Sequence, residues 1–504
     1  MNSYHSAETC WSKLVPKRDK VLRRVEDYAA LTIASVYRVD DYDPEDEDKS
    51  NDYQSLGAVA VNHLVNKLAL AMFAPSRPFF RVTADLKTQQ TLQSMQVPDD
   101  KIVDAIASVE RTAVEYLDQN AQRPHLYRML RHVVVAGNVL LDLTGGSMRV
   151  MGLKYFCVKR TARGVIHKLV IREEVLFDEL EEDVQALLKH KYKEGDTVQF
   201  YKYISLKSGK YTETQWVGEL NLGEKYESRY NQDALPYHVV TWDLDDSADY
   251  AKGLVEEYSR DLTALSVMSK GVVEGALVGL DVKWLLNPTS MATADQFANA
   301  KNGDVLPGIE TDMTPVAANN GSAVQVSDAI LTRIEQRVSR AFLLGSGVTR
   351  DAERVTAEEI RLQAQELETA YGGTYTTLAS NVQRPLALWL IKQSKIDIGQ
   401  MKVTIVTGLE AMSRNGDLEN LRLALGDLAQ FSTLPPELQA RINFPALAAF
   451  VGAGRGVDLK KFLLSEEEFQ AKMQQQQQAR VAEATQTAAG EAGAQAAAQQ
   501  GTMQ

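Results

Sequence analysis

The chain has 504 residues, of which 44% are hydrophobic and 24% charged, a balance that fits two to four soluble globular domains with ample core. Its formal net charge of −12 argues against a protein that grips or reads nucleic acid through the phosphate backbone, which needs clustered Lys and Arg. No run of about eighteen apolar residues exists to span a membrane. The start, with Tyr4, His5 and Glu8, lacks the basic and apolar stretches of a secretory signal, so the product is expected in the cytoplasm where it is made.

In chain order, the apolar spacing of Val21, Leu22, Val25, Tyr28, Ala29 and Val36 predicts a helix over 18–38. The acidic run 40–48 that follows lacks the central Gly and terminal Glu of a calcium loop and reads as solvated. Helices are predicted over 56–74, ending at Pro75, and over 100–120. Another begins after Pro124 and gives way to a strand at 139–143. The period then changes to two, predicting strands at 165–171, 198–206 and 211–217, the last pair joined by a Ser208-Gly209 turn, and another at 238–242. Gly253 opens a helix to about Gly275, with Gly271, Gly275 and Gly279 at intervals of four, a spacing that permits close helix packing or marks a fraying end.

Residues 280–325 are poorly periodic, with short apolar pieces at 282–286 and 305–309. Beyond them Ile330, Ile334, Val338, Ala341 and Phe342 form one stripe of an amphipathic helix over 326–344, which Gly345, Ser346 and Gly347 are expected to stop. A second helix opens at Thr356, where Thr-Ala-Glu-Glu forms a capping box with Glu359, and runs to about Gln393. Between them, 348–354 carries Arg350, Asp351, Glu353 and Arg354 and too little apolar surface to bury a loop, so it must face water or a partner. A strand at 402–406 and helices at 417–431, at 436–450 and from Ser465 follow. The Gln- and Ala-rich stretch 474–504 cannot build a core.

No catalytic constellation emerges. Ser208-Gly209-Lys210-Tyr211 lacks the first Gly and the hydroxyl of a phosphate loop, and no zinc-protease or nucleophile-elbow motif is present. His125 and His132 share a helix face without a third ligand nearby, and the carboxylate pairs Glu173-Glu174 and Glu256-Glu257 carry little catalytic information in so acidic a chain. Cys10 and Cys157 fit no metal or redox spacing and are expected as free thiols. The expectation is a protein that is no enzyme, with no cofactor and no metal site.

Five blocks carry a resemblance. They are Tyr53 to Pro75; Val133-Val-Val-Ala-Gly-Asn-Val-Leu-Leu141; Leu254-Val-Glu-Glu-Tyr-Ser-Arg-Asp-Leu262; Ser327 to Phe342 with Glu353-Arg-Val-Thr-Ala-Glu-Glu-Ile-Arg361, Glu366-Leu-Glu368 and Gly372-Gly373; and Thr407-Gly-Leu-Glu-Ala411. In this order, over most of the chain to about Leu464, they resemble the portal proteins, the head-to-tail connectors of short-tailed double-stranded DNA bacteriophages. The resemblance implies a mixed, predominantly α fold with a small α/β wing layer, assembling as a homo-oligomeric ring of about twelve subunits. It divides the chain into wing (1–250), first stem helix (251–279), clip (280–325), second stem helix (326–343), tunnel loop (344–355), long helix returning to the wing (356–400), crown (401–470) and a low-complexity tail (471–504).

The function so implied is a virion channel at the unique capsid vertex, through which DNA enters during packaging and leaves during ejection. The implied partners are terminase, tail adaptor and tail proteins, and capsid, scaffold and internal core proteins, with no membrane. Gly345, Ser346, Arg350, Asp351 and Arg354 are the candidate DNA-facing residues; both arginines match family positions, and symmetry would repeat each around the channel. The sequence departs from the family at Tyr250-Ala251-Lys252-Gly253, where relatives have Tyr-Gly-Arg-Ser, and at Asp351-Ala352, where a Thr-Gly pair is common. A Gly in place of the Ser cap is tolerable by local propensity. The alternative is a non-conducting structural adaptor or scaffold that uses its helices only for oligomer contacts.

Overall fold

A computed structural model describes residues 6–37, 53–74, 78–84, 99–280, 283–316, 321–345, 357–394, 403–407, 414–431 and 442–455. Contacts divide the chain into two units, Met1–Ala411 and Met412–Gln504. In the second, helices Arg414–Phe431 and Phe444–Arg455 meet through Ala424, Leu428 and Ala448. The predicted acidic run 40–48, the Thr356 capping box and the helix from Ser465 fall outside the described residues.

The first unit opens with α1 (Ala7–Ala30), which starts well before the predicted 18. Pro16 suggests a boundary, because proline removes a backbone donor inside a helix. Here burial wins: Ser6 caps the Thr9 N–H at 3.1 Å, and Ala7, Cys10 and Trp11 pack onto Cys157, Val170, Tyr201 and Trp216 of a sheet. The two cysteines therefore share one core cluster as free thiols, and burial pushes the Cys157 thiol up to about 12. The helix also ends before the predicted 38; a 3-10 turn, Ala34–Val36, takes its place.

That sheet has six strands. β4 (Phe156–Arg160), β5 (Ile166–Leu176), β6 (Thr197–Lys207), β7 (Lys210–Val217) and β8 (Leu220–Asn221) follow one another antiparallel, and β9 (Ser228–Asn231) also pairs with β7. The β6–β7 turn is the predicted one, with Ser208 at φ 47° and Gly209 at φ 80°, the two left-handed positions of a type I′ hairpin. A smaller sheet sets β10 (Tyr237–Thr241) beside β2 (Asn138–Asp142) and β3 (Arg149–Met151). The predicted strand at 402–406 appears as β13 (Val403–Thr407). Its antiparallel partner, β1 (Phe80–Ala84), has no local sequence signal strong enough to have announced it.

Helices α2 (Leu56–Met72), α3 (Asp99–Gln119) and α4 (Arg123–Ala136) lie close to their predicted bounds. Next in chain order come α5 (Glu182–Leu188), α6 (Leu254–Leu280), α7 (Ala294–Asn299) and α8 (Gly321–Ala341). The single helix predicted from Thr356 to Gln393 is two: α9 (Ala357–Tyr371) and α10 (Gly373–Gln393). Gly372 breaks them at φ 54°, ψ −136°, a conformation open to glycine and costly to any residue with a Cβ.

Candidate functional site

Helices α6 and α8 form an antiparallel pair that carries residues 283–316 at its far end, and the pair is buried along only part of its length. In α6, ~40 Å long at 1.5 Å per residue, Leu254, Val255, Leu262, Leu265 and Ser266 are buried. Farther out the same helix leaves Val267 (65% exposed), Val273, Leu277 and Val278 facing outward. On α8, Leu331, Ile334 and Val338 make the buried stripe that Phe342 continues just past the helix end, with the Tyr258 ring edge-on to Phe342, while Val326 and Ile330 stay exposed. The segment between is held by its own polar bonds. Strands β11 (Lys283–Leu286) and β12 (Met313–Val316) pair antiparallel, and buried Asp312 accepts the Ile309 N–H at 2.9 Å. Its apolar side chains nonetheless point to solvent: Trp284, Leu285, Met291 (81%), Val305 (96%) and Ile309. Single exposed apolar residues are ordinary; this many on one excursion leave an apolar surface open to contact.

At the other end the pair is anchored by close backbone contact. A Cβ built on Gly137, at φ 70°, would meet the Lys252 carbonyl carbon at 2.3 Å, and one on Gly253 would meet the Val135 oxygen at 2.6 Å. Glycine at 253, expected as a merely tolerable cap, is instead required by the neighbouring end of α4. Asn138, fully buried, clasps the junction: its amide donates to Ala251 O at 2.8 Å while its oxygen accepts the Ala251 N–H at 2.9 Å. Nearby Asp249 is buried yet held below the usual carboxylate range. Burial pushes it up, but the Arg160 N–H at 2.8 Å, Lys17 at 2.6 Å and Lys159 at 3.1 Å outweigh that.

The end of α8 differs from its sequence reading. The helix stops at Ala341, ahead of Gly345, because Leu343 adopts φ 57° and the Leu344 N–H reaches back to Ser339 O at 2.8 Å, the wider bond of a Schellman closure. His63 of α2 donates to the Leu343 carbonyl at 3.1 Å and fixes the turn. A leucine in this region costs ~1 kcal/mol or more, so the tertiary bond and packing sustain a stop that glycine would have made cheaply. Gly345 is exposed, with nothing within 4 Å of an added Cβ; Ser346, Arg350, Asp351 and Arg354 lie outside the described residues. Of the five candidate DNA-facing residues the structure thus describes Gly345 alone, at the anchored end of the pair.

One group escaped the sequence reading. Arg333, Arg337 and Arg340 stand at spacings of four and three on one exposed flank of α8, and with Tyr258, Gln336 and Ala341 they line a groove of about 610 Å³. Arg337 binds Asp261 of α6 at 2.7 Å. The basic spacing is present in the sequence but is overshadowed by the stronger apolar period of the same helix. A larger cleft of about 1450 Å³ lies between the β10 region and α10, with Arg160, Arg163, Arg384 and Lys392 in its walls beside Asp233 and Asp243. His238 there is pushed down to about 4 by burial and is neutral near pH 7. Among the described residues no group of three His, Cys, Asp or Glu could hold a metal ion, and no helix is long and apolar enough to cross a membrane.

The helix pair thus combines an exposed apolar tip with an end held by close backbone contact. Residues 4–463 match the family described as bacteriophage head to tail connecting protein. The chain belongs to this family. The portal protein of Enterobacteria phage SP6 is 31% identical over 482 residues, covering 93% of this chain and 92% of that protein. That of Escherichia phage T7 is 31% identical over 490 residues, covering 93% and 90%, and that of Pseudomonas phage phiKMV 30% over 499, covering 95% and 96%. A chain from the neck of an empty GTA particle aligns with a TM-score of 0.37 at 11% identity, over 80% of this chain and 90% of its own, too distant to carry an arrangement of elements across. This connector is a structural component of the virion's head-tail junction, of the T7-like short-tailed type, and not an enzyme.

Proposed function

We propose that about twelve copies of this chain close a ring at one capsid vertex, whose central hole passes double-stranded DNA inward during packaging and outward during ejection. The observation that carries the reading is the α6–α8 pair: apolar on its exposed outer half, locked by backbone contact at its inner end, and therefore stable only in part without neighbours. In this reading residues 1–250 form the wing, 251–279 and 326–343 the two stem helices, and 280–325 the clip, where terminase and later the tail adaptor dock. Residues 344–355 form a tunnel loop, 356–400 return to the wing, 401–470 form the crown toward capsid, scaffold and internal core proteins, and 471–504 are a tail.

The acidity of the chain supports sliding rather than gripping, since a wall that repels phosphates on average offers no deep wells. Arg350 and Arg354 would make transient phosphate contacts, offset by Asp351 and Glu353. Two measurements test this. Purified protein should run near twelve times 55.9 kDa and show a central hole by electron microscopy; a monomer at every concentration and in virions would end the reading. The double variant Arg350→Ala, Arg354→Ala should still form rings but package or retain less DNA. Full packaging by that variant would remove the two arginines from the account.

A further inference from the structure

Helix α8 carries unlike charges on opposite flanks. Arg333, Arg337 and Arg340 share one flank; Asp328 and Glu335, seven residues or about two turns apart, share another. At about 100° per residue, Glu335 lies roughly 200° around the helix from both Arg333 and Arg337, and only ~3 Å along the axis from either. All five side chains are exposed. Asp261 occupies Arg337, while among the described residues Arg333, Arg340, Asp328 and Glu335 have no ion-pair partner. Residues two apart on a helix face away from each other, so Arg333 and Glu335 of one chain cannot satisfy each other.

We propose that this helix is a lateral zipper between copies: the basic flank of α8 in one subunit docks on the acidic flank of α8, Asp328 and Glu335, in the next. The proposal rests on the ring reading and adds to it the residues that set the order of neighbours. A closed ring is made by a head-to-tail contact in which two different surfaces of the same chain meet. Rotation about a ring axis has no rise, so with the helices aligned along that axis the contact must join residues at nearly equal heights. Glu335 at the height of Arg333 and Arg337, on the opposite flank, meets that condition. Val326 and Ile330 continue the basic flank outward as exposed apolar residues, giving the neighbour area as well as charge. A nucleic-acid backbone on the same arginines is the weaker reading, because it leaves the acidic flank without a role.

Two full-length variants test the zipper. In one, Asp328→Lys with Glu335→Arg makes both flanks basic; in the other, Arg333→Glu with Arg340→Glu makes both predominantly acidic. Each alone should lose the ring, at least tenfold in assembled fraction at a concentration where the wild type is fully assembled, as read by light scattering. Circular dichroism should stay that of the wild type, since the positions are exposed. Mixed in equal amounts, the two should recover rings by alternation, an outcome that only contact between copies can produce. Should either variant misfold, Arg333→Gln with Glu335→Gln introduces no repulsion and should dissociate at several-fold lower salt than the wild type. Rings formed by each variant alone as readily as by the wild type would overturn the zipper while leaving the ring reading intact. Rings formed normally by the acidic variant together with weaker DNA binding would overturn it in favour of phosphate contact. A monomeric wild type would sink both.

Discussion

The body of the first unit and the excursion from α6 to α8 treat the same kinds of residue in opposite ways. In the body, buried charge is answered from within the chain. Asp249 takes Lys17, Lys159 and the Arg160 N–H, Glu213 accepts the hydroxyls of Tyr230 and Tyr237 at 2.9 Å each, and nearly buried Lys67 of α2 meets Glu366 of α9 at 3.1 Å. In the excursion, valines, leucines and a tryptophan face water, and four charged residues of α8 lack an ion-pair partner among the described residues. The body answers most of its buried charge internally; the excursion leaves apolar and charged side chains open to solvent. Substitutions in the body should therefore register as lost folding stability, and those in the excursion as lost assembly.

The sharpest test of the self-sufficient body is the glycine contact at its junction with α6. Gly137→Ala adds a Cβ at a left-handed backbone position and drives it to 2.3 Å from the Lys252 carbonyl carbon. Backbone cannot swing aside as a side chain can. The expected loss is ~3 kcal/mol or more, read by urea denaturation, with Gly253→Ser close behind despite serine's better capping. An unchanged midpoint for both would mean that α4 and α6 do not approach as described.

Next in size is Lys67 with Glu366. Because Lys67 is 2% exposed, Glu366→Gln removes the carboxylate that faces a buried ammonium and should cost ~2 kcal/mol. Adding Lys67→Met should recover much of that loss, since an apolar pair leaves no charge to solvate. Non-recovery would show that Lys67 is held chiefly by its other contacts.

A smaller and pH-dependent effect belongs to His132. Burial, with Arg128 adding repulsion, pushes it down to about 3, and its ring sits edge-on to Tyr37 at 5.1 Å. A histidine kept neutral by the fold contributes stability that is complete above its ordinary value of 6.5 and is lost as pH falls from there toward 3. The slope is at most ~1.4 kcal/mol per pH unit. His132→Phe should flatten the stability profile between pH 6 and ~4. An identical profile in wild type and variant would assign the acid sensitivity to other groups.

The contrast between the regions also governs what the sequence could reveal. Local rules were sufficient where local physics decides: the two left-handed positions of Ser208-Gly209 set the β6–β7 hairpin, and the apolar spacing of α3 placed it within a residue at each end. They failed where distant chain decides. The pairing of Phe80–Ala84 with Val403–Thr407, the extension of α1 past Pro16 and the need for glycine at 253 all come from contacts with residues far along the sequence. At the candidate site, the α8 stripe was legible as a period and its basic flank was legible but unread. Its stop at Leu343 was hidden, because only the bond to His63 and the local packing sustain a left-handed leucine there.

The smallest expected effect on folding comes from the excursion, and its smallness is the point. Trp284→Ser, Met291→Ser and Val305→Ser remove side chains that are 56%, 81% and 96% exposed and so relinquish little buried area within the subunit. Each should change the unfolding free energy of the monomeric subunit by no more than ~0.5 kcal/mol, the range of ordinary surface changes. If these residues were merely tolerated at the surface, nothing else would change. If they are the clip's contact surface, rings should still close through α8 while failing to hold a tail adaptor, a loss visible by co-sedimentation. A large drop in subunit stability would instead mean that the tip packs against its own chain, and the division between a self-satisfied body and an unfinished excursion would not stand.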